Sequence, residues 1–203
     1  MLIQNYRLVL ASTSPRRQNL FQLLGLNFDC IDPIFEEKLR DDEEAIPYVL
    51  RNAKGKAESI VCSCRNSSSS AKQTLIIAAD TVLELDGKVL QKPKSELEAT
   101  MMLQSLAART HEVHTGYCII KLNADGESCI IENKVASSQV TLKELTSEDI
   151  ASYIASGEPM DKAGAYGIQG LGLSFVESLN GSYPNVMGLP ISQVYEGLLK
   201  SLN

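Results

Sequence analysis

The run Thr74–Leu85 constrains this chain more than any other segment. It reads TLIIAADTVLEL and is the strongest strand signal in the sequence. Asp86-Gly87 follows and predicts a hairpin turn into Lys88–Leu90. Asp80 interrupts the apolar run. A carboxylate in such a strand is costly to bury unless it is paired, hydrogen-bonded or metal-bound. Two readings stand side by side: a buried Asp satisfied by backbone donors, or a metal ligand or general base at a strand position facing a cleft.

Strands and helices alternate around this run without an internal repeat. Tyr6–Ala11 reads as a buried strand, which Ser12-Thr13-Ser14-Pro15 breaks. Ser14 suits an N-cap and Pro15 the first helical position. Leu20, Phe21, Leu23 and Leu24 give that helix its apolar face, and Gly25 predicts its stop. Leu26–Ile31 predicts a second strand. Val49, Ala53, Ala57, Ile60 and Cys64 recur at spacings of three and four, which predicts a helix over Glu43–Cys64 with Pro47 in its first turn. The serine-rich stretch Arg65–Gln73 is a surface loop. Ser95 and Glu98 predict a capping box for a helix ending near Ala107. His111–Leu122 and Ser128–Leu145 carry strand content, joined through a turn at Asn123–Gly126. Thr146 and Asp149 open a helix to Ala155, Leu173–Leu179 reads as a strand, and Ile191–Leu202 as a closing helix. The expected class is α/β with a mixed sheet and short hairpins, in one domain over 1–203.

Composition excludes several functions. With 203 residues, 44% of them hydrophobic, the chain can bury a sizeable core. A net charge of −6 argues against a broad nucleic-acid footprint, so any bound anion must sit in a local pocket. No apolar stretch approaches the ~18–20 residues of a membrane span. Cys30, Cys62, Cys64, Cys118 and Cys129 form no disulfide framework, and reduced thiols point to a cytoplasmic protein. His111 and His114 fall on opposite faces of a strand, so a zinc pair is not expected. No G-x-S-x-G, P-loop or dinucleotide fingerprint occurs.

Three constellations carry chemistry. Ser12-Thr13-Ser14-Pro15-Arg16-Arg17 joins a strand to a helix N-terminus, where free N–H groups, hydroxyls of Ser12 and Ser14, and the helix dipole favour an anion. Arg16 and Arg17 are disfavoured by that dipole, which suggests an anion bound between them. Asp80 is the second, with Lys56, Lys92, Glu36 and Glu37 as groups able to complete a triphosphate site; taken singly, each is an ordinary surface charge. The third is Asp161-Lys162-Ala163-Gly164-Ala165-Tyr166-Gly167-Ile168-Gln169-Gly170. Its small residues allow close backbone approach to a ligand, and the Gln169 amide suits a base edge.

In this order, these segments resemble the Maf family. The likeness runs from Leu10-Ala11-Ser12-Thr13-Ser14-Pro15-Arg16-Arg17 through Lys56-Ala57, Ala79-Asp80-Thr81-Val82, Lys92-Pro93 and the Asp161–Gly170 segment to Asn180-Gly181-Ser182-Tyr183 and Gly188-Leu189-Pro190. The resemblance implies an elongated mixed β-sheet flanked by helices, with two lobes and a central cleft, as in inosine-triphosphate pyrophosphatases. It implies cleavage of nucleoside triphosphates between the α and β phosphates with a divalent metal, Mg²⁺ or Mn²⁺. The family's acidic catalytic residue matches Asp80. Its phosphate and metal constellation matches Ser12, Arg17, Glu37, Lys56 and Lys92, with Glu37 and Asp80 on the metal. Arg16, Thr81 and Gln169 agree with the branch acting on dTTP and UTP, rather than the 7-methyl-GTP branch. The alternatives are the same chemistry on another base, or a nucleotide-binding regulator of cell division. A homodimer is expected only from the prevalence of two-fold assemblies.

Overall fold

A computed structural model describes residues 2–66 and 73–202. The serine-rich stretch falls mostly outside them. After a 3₁₀ turn, strand β1 (Arg7–Ala11) leads into helix α1 (Pro15–Gln22), β2 (Asp29–Ile31), α2 (Ala45–Ser59) and α3 (Val61–Asn66). The hairpin β3 (Thr74–Leu85) and β4 (Lys88–Leu90) precedes α4 (Glu96–Leu106). Strands β5 (Thr110–Leu122) and β6 (Ser128–Leu142) then precede α5 (Ser147–Ala155). Three short 3₁₀ segments lead into β7 (Val176–Asn180), α6 (Tyr183–Met187) and α7 (Ile191–Lys200).

The strands form one mixed sheet in the order β2-β1-β3-β5-β6-β7, with β4 paired to β3 off this path. Its organising strand is β3. One edge pairs with β5 continuously from Thr74 to Glu84. The other edge is shared. Arg7–Leu10 runs parallel to Thr74–Ile77, and β4 runs antiparallel to Leu83–Leu85. Between them, Ala78–Val82 has no strand partner on that edge among the described residues. This gap lies at the carboxyl end of β1, a place where open α/β sheets present ligand crevices.

Apolar residues cover both faces of the sheet near β1. Leu8 and Leu10 pack with Phe21, Ile77 and Leu189, whereas Val9 and Ala11 face Ala53, Ala57 and Ile60. This is the period-two alternation of a strand buried on both sides. Farther along the sheet, Leu83, Val113 and Val140 pack with Leu103, Leu106 and Ile150 in a separate cluster under α4 and α5. The long strands β3 and β5 pass through both regions.

Several expectations are corrected in detail. The helix predicted over Glu43–Cys64 breaks at Ile60, whose φ of −102° and ψ of −1° separate α2 from α3. Both pieces keep the apolar stripe, so Ile60 and Cys64 are still buried. Leu23 is 81% exposed, because α1 has ended at Gln22 and the chain is turning towards Gly25. The strand expected over Leu173–Leu179 begins at Val176, after a 3₁₀ segment over Gly170–Phe175. The Ser95 side chain accepts from the Glu98 backbone N–H, but Glu98 accepts from Lys94 instead of closing the box. Thr146 and Asp149 do form the complete reciprocal box.

Candidate active site

A cavity of about 530 Å³ opens along the gap in β3. The site candidates named from the sequence line it, with the exception of Glu36: Ser12, Ser14, Arg16 and Arg17 from the β1–α1 junction; Glu37 and Lys56; Asp80 and Thr81; Lys92 and Gln169.

The pleat of β3 sends Asp80 and Thr81 to opposite faces. Asp80 turns towards α2. Its Oδ1 accepts from Lys56 Nζ at 2.8 Å and its Oδ2 from Asn52 Nδ2 at 2.8 Å. Lys56 Nζ also meets Glu37 Oε1 at 2.6 Å. Asn52 and Lys56 stand four residues apart and share one helix face. Across the sheet, Asp80 is opposite Gly116. A Cβ at Gly116 would collide with the backbone carbonyl of Val49, so glycine is what lets α2 lie close enough for both contacts. Asp80 is thus satisfied by side chains, not by the backbone donors of the bland reading. Lys56 is 5% exposed, which removes it from the class of solvated surface charges. Glu37 reaches Lys56, whereas Glu36 does not line the cavity.

Thr81 faces α1. Its Oγ1 accepts from Arg17 Nη2 at 3.1 Å and lies 2.9 Å from Thr115 Oγ1. Arg17 Nε donates to the Gly188 carbonyl at 2.7 Å. Burial pulls the Arg17 guanidinium below its ordinary pKa, and the charges of Asp80 and Glu37 oppose that shift. Arg16 Nη1 donates to Asp161 Oδ2 at 2.9 Å. Both arginines therefore have internal partners while lining the same cavity. Burial tends to raise the Asp161 pKa, but hydrogen bonds from Lys162 and Arg16 hold it below the ordinary value.

Ser14 occupies the N-cap position of α1, yet its side chain makes no capping bond. Its backbone N–H donates to Ser12 Oγ at 3.1 Å. The first-turn N–H groups are consequently left for another acceptor. Lys92 has no ion-pair partner among the described residues.

In the glycine-rich segment, Ala163 and Gly167 line the cavity, whereas Gly164 and Gly170 do not. A Cβ at Gly164 would strike Leu83, and one at Gly170 would meet the Glu158 carboxylate. The close approaches at these positions are to protein atoms, not to ligand space. Gly164 and Ala165, with φ of 67° and 60°, turn the chain so that Tyr166 is buried and Gln169 reaches the cavity rim.

Three lining or supporting residues escaped the sequence reading. Asn52 holds Asp80 from within a helix stripe. Tyr48 donates to the Glu37 carbonyl at 3.3 Å, and Gln91 Nε2 donates to Tyr48 Oη at 2.8 Å. Burial raises the Tyr48 pKa, and the Asp80 charge adds to that shift. A polar residue in α2 four positions before Lys56 was the one available signal.

Together these features define an α/β protein with a charged cleft at a broken edge of a mixed sheet, where a buried lysine lies between two carboxylates. The chain belongs to the Maf family: the family model described as Maf-like protein matches residues 7–201. It is 44% identical over 196 residues to the dTTP/UTP pyrophosphatase of Escherichia coli O157:H7, covering 97% of this chain and 93% of that relative. The proteins of the same description from Escherichia coli K12 and Shigella sonnei Ss046 match at the same identity and coverage. Among solved structures, a nucleoside-triphosphatase / dITP/XTP pyrophosphatase from Mycobacterium abscessus ATCC 19977 / DSM 44196 aligns over 96% of this chain and 94% of that one. Its TM-score is 0.39 and its identity 10%, too loose a likeness to carry any argument. No helix among the described residues is long and apolar enough to cross a membrane.

Proposed function

We propose that this chain hydrolyses dTTP and UTP to the nucleoside monophosphate and pyrophosphate. The observation that carries the reading is Lys56, buried between Asp80 and Glu37 on the wall of the cleft that Arg17 and Lys92 also line. The 44% identity to proteins described as dTTP/UTP pyrophosphatases supports the substrate class.

The donor chemistry fits a hard divalent cation. Glu37 and Asp80 offer carboxylate oxygens that contact the same ammonium, and the buried Asn52 Oδ1 beside them has no hydrogen-bond partner. Mg²⁺ or Mn²⁺ takes such oxygens and fills its other positions with water and phosphate. Bound by Glu37 and Asp80, it would neutralise charge on the substrate phosphates.

Catalysis here is mainly positioning and electrostatics. The β1–α1 junction receives phosphate oxygens on first-turn N–H groups and on the Ser12 and Ser14 hydroxyls. Lys56 and Lys92 balance the charge that grows on those oxygens, and Arg17 holds the cleft wall at Thr81. Asp80 takes a proton from the attacking water, with Asn52 fixing its carboxylate. In-line attack at the α phosphorus breaks the bond to the bridging oxygen, and pyrophosphate leaves. Gln169 pairs with the base edge of thymine or uracil, while Arg16, anchored by Asp161, and Thr81 shape the rest of the base and sugar pocket.

The test is pyrophosphate release from dTTP, UTP, CTP, GTP and 7-methyl-GTP, with Mg²⁺ and with chelator. Metal-dependent release favouring dTTP and UTP is expected. Release favouring another base would overturn the pocket assignment, and no release from folded protein would overturn the enzyme reading.

A further inference from the structure

We infer a second cation site, separate from the cleft, formed by Glu84, Glu112 and His114 and suited to Zn²⁺. It lies on the same face of β3 as Asp80. Glu84 stands four residues farther along, which is about 13 Å in an extended strand. The register makes the grouping unavoidable. Glu84 pairs with Glu112, and Val82 with His114; on the far side of β5, His114 pairs with Ser137. All three side chains therefore share one face and one corner of the ladder.

Two carboxylates directly opposite each other destabilise a strand pair unless something neutralises them. Here the neighbouring imidazole is 2% exposed, and its Nε2 makes no hydrogen bond. That nitrogen is aimed between the carboxylates, 3.3 Å from Glu112 Oε2 and 3.6 Å from Glu84 Oε2. One ligand atom from each residue falls within a 4.8 Å group. The other ring nitrogen, Nδ1, is 2.7 Å from Ser137 Oγ. With the Nδ1 proton donated to Ser137, Nε2 presents a lone pair to two anionic oxygens. Three electron-pair donors then converge with no positive charge among them, which is the arrangement a divalent cation completes. Ser137 Oγ is placed to accept the Nδ1 proton, the role that outer-shell partners of metal-bound histidines play.

The donor set selects the metal. One imidazole and two carboxylates suit Zn²⁺, with water completing the shell, whereas the all-oxygen cleft suits Mg²⁺ or Mn²⁺. The side chains of Glu84 and Glu112 are 27% and 45% exposed, so the ion has a route in from solvent. Bound there, it ties β3 to β5 beyond the catalytic gap. The competing arrangement is a protonated His114 that bridges the two carboxylates without a metal.

The chain's two histidines make the test specific. His111 Nε2 is 2.7 Å from Tyr166 Oη and serves as an internal control, and the cleft contains no histidine. Full-length protein with ¹⁵N-labelled imidazoles is titrated with Zn²⁺ near neutral pH and followed by long-range ¹H–¹⁵N spectra. The His114 Nε2 resonance should move to the position of a ligated nitrogen at one equivalent, while His111 stays unchanged. Glu84→Gln and Glu112→Gln, both at partly exposed positions, should each weaken Zn²⁺ binding at His114 by at least about tenfold, since even an outer-shell loss commonly costs 10–100-fold. A His114 ring that ignores several equivalents of Zn²⁺, or that shows imidazolium signals insensitive to the metal, overturns the site. So does a His114 response that survives both glutamine substitutions.

Discussion

Lys56 Nζ lies 2.8 Å from Asp80 Oδ1, and both side chains are only 6% exposed. Breaking a buried ion pair by removing one partner typically costs about 3–5 kcal/mol, because the other charge is left uncompensated. Lys56→Met should therefore destabilise the protein on that scale. The double variant Lys56→Met/Asp80→Asn should be less destabilised than the sum of the singles by more than about 1 kcal/mol. Urea unfolding of the four proteins measures this coupling, and strict additivity would show that the pair is not energetically joined.

Asn52 donates to the other oxygen of Asp80 and is fully buried. A hydrogen bond to a charged group is worth about 1.5–3 kcal/mol. Asn52→Leu should lower kcat on dTTP by about ten- to a hundredfold while KM stays near the wild-type value. A raised KM with unchanged kcat would instead place Asn52 in substrate binding.

Gln169 lines the cavity, and its side-chain amide makes no hydrogen bond with the described residues. A site that pairs with its ligand rejects mismatched bases strongly, because buried groups go unpaired. Gln169→Ala should reduce the preference for dTTP over GTP by about tenfold or more, measured as the ratio of kcat/KM. An unchanged ratio would remove Gln169 from base selection.

Glu132 gives a pH-dependent stability prediction away from the cleft. Burial alone would raise its pKa, but hydrogen bonds from Lys200, Lys134 and Tyr117 outweigh that and hold it below the ordinary value of 4.5. A carboxyl depressed in the folded state stabilises above its unfolded pKa, and the contribution is lost as pH falls through the folded one. Glu132→Gln should thus cost about 1–3 kcal/mol at pH 7. The difference from wild type should shrink as the pH is lowered below about 4.5. Urea midpoints across this range check it; a difference independent of pH would contradict the ionic role.

Much of this architecture is legible in local chemistry. The Asp86-Gly87 turn has φ of 52° and 73°, as the hairpin requires. The stripe Val49, Ala53, Ala57, Ile60 and Cys64 is buried throughout, although no pattern in it marks the break at Ile60. Asp80 stood out because a carboxylate interrupts an apolar strand. Its partner Asn52 did not, because one polar residue in an amphipathic helix has no distinguishing periodicity. Arg16 and Arg17 looked like one phosphate clamp. Their internal partners were out of reach of that reading: Asp161 is 145 residues away from Arg16, and Thr81 is 64 residues away from Arg17. The Glu84–Glu112–His114 group was invisible for a similar reason. Glu84 and Glu112 are 28 residues apart and meet only through the register between two strands.

The most direct test of the account is turnover of dTTP by Asp80→Asn, with circular dichroism and thermal unfolding as checks of the fold. Asparagine keeps the size of the side chain and removes the charge and the base. Loss of a well-placed electrostatic group costs about 10²–10³ in kcat. A loss at least that large is expected in folded Asp80→Asn. Wild-type turnover from folded Asp80→Asn would contradict it, and the chemistry would have to be sought elsewhere in the cleft.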